Sequence, residues 1–297
     1  MSVQLRRAVK ATFPALVPAI RTLRQTVYRE PALRLRVAMK ALFDTIDRKA
    51  DAADLRVNIG GGHFIKRHWK VLDVPPGTRN YLSSIIDYGC DLCTFDPLPF
   101  ADGQVRLFYT SHCLEHLPEI YCRHLFKEVH RSLKPGGAIR ITVPDYDKAA
   151  DAFEAGNEAF FCRDIYGIDN WSKYRNMTGD KLAYAFVYYF AGFMAGKIPA
   201  EEVRRLYAEL GREAFANEIV SRIPLDSQGV QAQVGNHINW FTKTKLIAML
   251  KDAGFGDAYV SERDQSRFPE MRTPWHRVGS QFDHRYPLIS LYVEAVR

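Results

Sequence analysis

The spacing of apolar residues changes several times along the chain. Between residues 32 and 48, Leu35, Met39, Leu42 and Ile46 fall on one helical stripe and Arg36, Lys40, Asp44 and Asp47 on another face, which predicts an amphipathic helix. A polar linker, Asp51 to Asp54, follows. From Leu55 onward, short apolar runs alternate with helical patterns, as in a parallel α/β sheet. The predicted strands are Leu55 to Ile59, Lys70 to Val74, Ser84 to Tyr88, Val105 to Thr110, Ala138 to Val143, Asp257 to Ser261 and Ile289 to Val293. A helix over Tyr121 to Leu133, ended by Lys134-Pro135-Gly136-Gly137, separates the fourth and fifth and completes a βαβ unit. A second helix, Thr242 to Ala253, stops at Gly254 and leads into the sixth strand.

Residues 149–236 are too long for a plain connection and carry helical patterns of their own, so they read as an inserted helical cap. Twelve of the 41 residues from Phe153 to Phe193 are Phe, Tyr or Trp, against 12% for the whole chain. Such rings could stack on an acceptor, with Trp171 and Tyr174 the best placed. Equally, Leu182, Tyr184, Phe186, Tyr188, Phe190 and Phe193 could form the cap's own core, the preferred reading. The domain plan is therefore a helical arm over residues 1–50, a sheet domain over 51–148 and 237–297, and the insertion between them.

Composition is that of a globular chain, with 47% hydrophobic and 25% charged residues. The net charge of +7 is uneven. Residues 1 to 43 hold nine Lys or Arg and one acid, leaving 32 basic and 33 acidic residues elsewhere. The body therefore offers no basic stripe for the phosphate contacts of a nucleic-acid partner. The arm, through residues 1–46, suits peripheral contact with an anionic membrane surface, although its apolar stripe fits packing on the protein's own sheet better. Five cysteines are too few and odd in number for a disulfide framework and point to free thiols in a reducing, cytoplasmic setting. The apolar stretch Ala11 to Ile20 is interrupted by Pro14 and Pro18 and followed by Arg21, which argues against both a membrane span and a secretory signal.

The first strand closes on Asn58-Ile59-Gly60-Gly61-Gly62, a turn that lets a ligand approach backbone without meeting a Cβ. The next strand ends at Asp73, where a carboxylate can accept from ribose hydroxyls. Gly60 to Asp73 is shorter than the roughly 20 residues of the dinucleotide fingerprint, and no Walker Lys-Ser or Lys-Thr follows the glycines. A nucleoside cofactor without a pyrophosphate fits better. No Gly-x-Ser-x-Gly elbow is present. Cys90-x-x-Cys93 and His112-x-x-x-His116 have zinc-ligand spacings, but single pairs of this kind are common by chance, and no metal is expected.

The ordered series Val57-Asn58-Ile59-Gly60-Gly61-Gly62, Leu72-Asp73, Asp91-Leu92, Pro97 to Gly103, His112-Cys113-Leu114-Glu115-His116-Leu117, Leu133 to Gly137 and Val143-Pro144-Asp145 resembles the class I S-adenosylmethionine-dependent methyltransferases. More narrowly it is similar to their type 11 branch with a shortened glycine motif, associated with bacterial surface-sugar and polysaccharide pathways. The likeness is strong over residues 55 to 148 and looser over 237 to 297. It implies a Rossmann-like, seven-stranded, mostly parallel sheet with the last strand antiparallel. It further implies that Gly60, Gly61 and Gly62 contact the methionine part of S-adenosyl-L-methionine, Asp73 the ribose, and Asp91 with Leu92 the adenine. Asn58 stands in the same motif where that family commonly has an acid, and His112 would lie beneath the sulfonium.

Methyl transfer is an in-line displacement, and a hydroxyl acceptor must also lose a proton. His112, His116 and His237 are the candidate bases, with Asp145 the carboxylate alternative; His112 is preferred by position, and a scaffold role is preferred for His116. The expected function is O-methylation of a sugar, polysaccharide precursor or related small polar metabolite. The alternative is a non-catalytic binding protein on a degenerate version of the same fold, docking to membrane or nucleic acid through the basic arm.

Overall fold

The computed structural model describes residues 38–39, 54–61, 66–75, 86–161, 179–225, 236–272 and 288–297. The chain divides into two units, Met1–Ala50 and Asp51–Arg297. In the first, Ala38 and Met39 are helical and exposed. Leu35, Leu42 and Ile46 of the predicted stripe lie outside the described residues, as do Gly62, Trp171 and Tyr174.

The second unit is built on one sheet of seven strands: β1 (Leu55–Ile59), β2 (Lys70–Asp73), β3 (Tyr88–Gly89), β4 (Val105–Ser111), β5 (Leu133–Pro144), β6 (Asp257–Ser261) and β7 (Ser290–Val296). Their order is β3-β2-β1-β4-β5-β7-β6. β1 to β5 run parallel, and β7 runs antiparallel to both β5 and β6. The seven-stranded, mostly parallel sheet expected from sequence is thus the observed one. Helices fill the connections: α1 (Glu119–Ser132), α2 (Tyr146–Glu154), α3 (Lys181–Phe190), α4 (Ala200–Leu210), α5 (Arg212–Ser221) and α6 (Lys243–Asp252).

The apolar runs are continuous because both faces of the central strands are covered. On one face, Val57, Ile59, Phe108, Ile139, Ile141 and Val293 pack with Leu125 and Val129 of α1 and Leu246 and Leu250 of α6. On the other, Val71, Leu107, Tyr109 and Ala138 meet Trp69 and Met271. A second core joins α2, α3, α4 and α5 through Phe153, Phe186, Phe190 and Phe215, with Trp240 and Ile289 beside them. Phe186 lies parallel to both Phe153 and Phe215, with centroids 4.4 and 5.8 Å apart. Leu182, Phe186 and Phe190 therefore belong to this core, Tyr184 and Phe193 pack against it half-buried, and Tyr188, stacked on Tyr184 at 6.1 Å, lies half-buried outside it.

Three boundaries move from their expected places. The third strand is Tyr88–Gly89 rather than Ser84 to Tyr88, because only Leu72 and Asp73 at the end of β2 pair with it. Lys134 to Gly137 belongs to β5 instead of a loop: Gly136 donates to Arg297 O at 2.9 Å and Arg297 donates to Gly137 O at 3.0 Å, so the chain end pairs with it. Gly137 is required there, since a Cβ would lie 2.7 Å from Arg106 O and 2.9 Å from Lys134 O, both backbone atoms with nowhere to move. The helix after β5 begins at Tyr146, three residues ahead of the start given to the inserted segment, because the Asp145 carboxylate accepts from Asp147 N at 3.1 Å and caps it.

Candidate active site

The strand order reverses between β1 and β4, and in open α/β sheets ligands bind beyond the carboxyl ends of the strands at such a point. Nearly every residue singled out from sequence comes to this edge. Gly60 ends β1, Asp73 ends β2, Asp91 and Leu92 follow β3, His112 follows β4 and Asp145 follows β5. Spacing along the chain is unrelated to this convergence, because each βα connection returns the chain to the same edge.

The glycine turn is tight. Gly60 has φ +64 and donates to Leu72 O at 2.9 Å, locking β1 to the end of β2. A Cβ on it would run into the Cys113 side chain, 2.8 Å from its Cβ. A Gly60→Ala variant is therefore expected to lose about 2–4 kcal/mol of stability, combining left-handed strain with overpacking. Urea unfolding checks this, and a loss under about 0.5 kcal/mol, the scatter of ordinary surface changes, would refute the reading of this turn. A Cβ on Gly61 would lie 3.0 Å from Asn58 Nδ2, so the Asn58 amide rests on the turn. Asn58 is buried, and its Oδ1 accepts no hydrogen bond among the described residues. A buried acceptor of this kind calls for a donor that a ligand can bring.

Asp73 and Asp91 sit on adjacent strand ends. Asp73 is buried, with Oδ1 accepting from Val74 N at 2.8 Å. Cys90 N donates to Asp73 O at 3.0 Å, which draws the segment after β3 alongside, and Asp91 Oδ1 accepts from Cys93 N at 2.9 Å. Cys90, Cys93, Cys113 and Cys122 are free thiols; burial, helped by Asp91 and other nearby acids, pushes Cys90 up to about 11.

Beyond β4 the chain makes a short 3₁₀ turn, Leu114–His116, and buries Glu115 at 1% exposure. Glu115 lies within a motif evident in the sequence, but nothing in the sequence assigns it a role. In the fold it is the centre of the site. His112 Nδ1 lies 3.2 Å from its Oε1, and the Nε2 atoms of His116 and His237 each lie 3.9 Å from it. Ile238 N donates to Glu115 O at 2.8 Å, which is what carries His237 in from 122 residues away. The rings of His116 and His237 meet edge to face at 5.0 Å. Burial opposes the Glu115 charge, but the His112 contact and the neighbouring imidazoles outweigh it and hold the carboxyl at about 2. Burial pushes His237 down to about 4 against the pull of Glu115.

His112 has φ +50, unusual for a residue with a side chain, and is held there by its backbone N–H on Thr142 O at 2.8 Å. The ring is clamped at both ends, since Nε2 lies 2.9 Å from Ser290 Oγ. Asp145 is buried, and burial raises its carboxyl above the ordinary range against Lys148, whose Nζ lies 3.7 Å away. Its capping of α2 already engages one oxygen. Tyr189 fastens the same corner, its hydroxyl donating to Asp145 O at 3.2 Å and Ile289 O at 3.0 Å.

Among known proteins, a family model described as a methyltransferase domain matches residues 33–259, just over three quarters of the chain. No curated protein sequence matches. Among solved structures, human N-acetylserotonin methyltransferase in complex with SAM is 15% identical with a TM-score of 0.36; the alignment covers 92% of this chain, which spans 58% of the human one. A SAM-dependent methyltransferase from Archaeoglobus fulgidus is 11% identical, covering 88% of this chain and 94% of its own, with a TM-score of 0.39. An S-adenosylmethionine-dependent methyltransferase from Mesorhizobium loti is 15% identical over 86% of this chain and 98% of its own, with a TM-score of 0.36.

Proposed function

The chain belongs to the methyltransferase-domain family and is an S-adenosylmethionine-dependent methyltransferase, and from that premise we propose that it methylates an oxygen of a small polar acceptor, a sugar or a glycan precursor. The observation that carries the oxygen acceptor is His112, forced into a left-handed conformation immediately beyond β4 and clamped between Glu115 and Ser290. Such strain persists only where the surroundings over-determine it, and it collects at functional sites. The sugar class rests on the likeness of the sequence to the type 11 branch.

When bound, the cofactor supplies an electrophilic methyl group on a sulfonium. The residues present suit it. Asn58 Oδ1 would offer a buried acceptor to its ammonium group, the Gly60–Gly61 turn would let backbone come close, Asp73 would receive the ribose hydroxyls, and Asp91 with Leu92 would border the adenine. Around the acceptor, the chain's work is to orient the hydroxyl, exclude water and take the proton. His112 is suited to taking the proton, because Glu115 fixes its Nδ1 side and Nε2 receives the proton by way of the Ser290 hydroxyl. On this reading the acceptor lies against the helices that follow β5, with the half-buried Tyr184–Tyr188 pair of α3 offering ring faces to a sugar. Among the described residues no helix is long and apolar enough to cross a membrane.

Calorimetric titration with S-adenosylmethionine, followed by transfer of labelled methyl to a panel of sugar nucleotides and glycolipids, tests this reading. The expected result is one cofactor per chain and label on a hydroxyl oxygen. Absence of binding at millimolar cofactor, or label found only on nitrogen or carbon, would overturn it.

A further inference from the structure

Glu115, His116 and His237 form an arrangement that a proton-transfer role does not explain. Both carboxylate oxygens of Glu115 are buried and accept no hydrogen bond of normal geometry among the described residues, although one faces the three rings as an ion-pair partner. An acceptor-only group in that position is costly unless a cation balances it. The two outer imidazoles are each fixed by the nitrogen that faces away. His116 Nδ1 lies 3.0 Å from Asn236 O, and His237 Nδ1 lies 2.5 Å from Tyr189 O. A carbonyl can only accept, so Nδ1 carries the hydrogen in each neutral ring and the Nε2 lone pairs are left facing Glu115. Two imidazole Nε2 atoms and a carboxylate oxygen converging in this way are three donors that one cation can share.

An imidazole whose far N–H is anchored to a backbone carbonyl is the outer-shell arrangement found around metal ligands. The three donor atoms lie within 4.8 Å of one another, with each Nε2 3.9 Å from Glu115 Oε1. Tetrahedral bonds of about 2.0–2.2 Å place neighbouring donors about 3.3–3.6 Å apart, so a small closing movement of the side chains would complete the site. Two imidazoles and one carboxylate suit a borderline divalent transition ion such as zinc, where magnesium or calcium would call for an all-oxygen set. Cys90 and Cys93, whose spacing also matched zinc, are not in this group.

We propose that Glu115, His116 and His237 bind a divalent transition-metal ion of the zinc class, leaving at least one coordination position open. His112 is a positioning residue for this site through its contact with Glu115 at 3.2 Å. On the methyl-transfer reading, and resting on it, the open position takes the acceptor oxygen, which restricts acceptors to those with a hydroxyl or carboxylate able to ligate. The metal site itself stands without that reading.

The test uses the full chain, stripped with a chelator and titrated with Co²⁺ in the absence of cofactor and acceptor. One equivalent is expected to produce the intense visible absorption of a four- or five-coordinate ion, and Zn²⁺ to bleach it. His237→Ala and Glu115→Gln should each weaken Co²⁺ binding by more than about 100-fold, the upper end for loss of an outer-shell partner alone, while His124→Ala leaves it unchanged. Circular dichroism establishes that each variant is folded. No absorption band in the wild-type chain would overturn the proposal whatever the variants do. So would equal affinity in folded His237→Ala. S-adenosylmethionine binding, measured separately, reports on the methyl-transfer reading without affecting this result.

Discussion

Arg140→Met is expected to cost about 3–5 kcal/mol of stability, far more than its loss of packing would, because it strands a buried carboxylate. Arg140 in β5 and Glu294 in β7 are register partners in the antiparallel pair, and both are fully buried. Arg140 Nη1 donates to Glu294 Oε1 at 2.7 Å and to Ser261 Oγ at 3.0 Å, and Nη2 donates to Glu262 O at 2.7 Å. Glu294 Oε2 accepts from the Tyr259 hydroxyl and from Arg267 N. The network ties three strands at the point where β7 reverses direction. Without the guanidinium, the remaining donors are neutral and cannot balance the charge. The double variant Arg140→Met with Glu294→Leu should recover most of the loss, since an apolar pair of similar volume is often neutral or better. Midpoints of urea unfolding for the two singles and the double check this. A single-variant loss under about 1 kcal/mol would mean that water reaches the pair.

The largest effect on cofactor handling is expected at Asp73. Asp73→Asn should weaken S-adenosylmethionine binding by about 10- to 150-fold, corresponding to roughly 1.5–3 kcal/mol for charge-assisted hydrogen bonds to the ribose. Asparagine keeps an oxygen able to accept from Val74 N, so the end of β2 should hold its shape. The effect should therefore appear in KM for the cofactor, with kcat and the unfolding midpoint nearly unchanged. Unaltered cofactor affinity would remove Asp73 from the ribose site, and a matching fall in stability would make it a turn residue instead.

The sheet was legible because its signals are local. Short apolar runs bounded by turn residues are what a strand covered on both faces must look like, and all seven appear near their expected places. Boundaries were less legible where pairing decides them. β5 extends back through two glycines only because Arg297, at the far end of the chain, comes to pair with Gly136 and Gly137. The insertion's aromatics divide by a similar rule. Phe186 and Phe190 are core because α2, α4 and α5 close over them, and the 3.6-residue spacing on α3 cannot announce that partner.

In the site, sequence placed His112, Asp73, Asp91 and the glycines at strand ends, and those ends share one edge. The sequence gives Glu115 no role of its own, although the His112-x-x-Glu115-His116 spacing carries a signal: three polar residues within one turn of a chain entering the interior. His237 is one histidine among several in the sequence, and nothing local links it to Glu115.

By itself the sequence determined what repeats along the chain: strand and helix periodicity, the glycine turn after β1, the acids closing β2 and following β3, and so the family of fold. Tertiary structure alone decided what meets across it: the Arg140–Glu294 pair, the clamp on His112, and the gathering of His116 and His237 on Glu115. The physical reason is one of range. Backbone preference and burial pattern act over a few residues, whereas the balance of a buried charge is settled by groups that only folding brings within hydrogen-bonding distance.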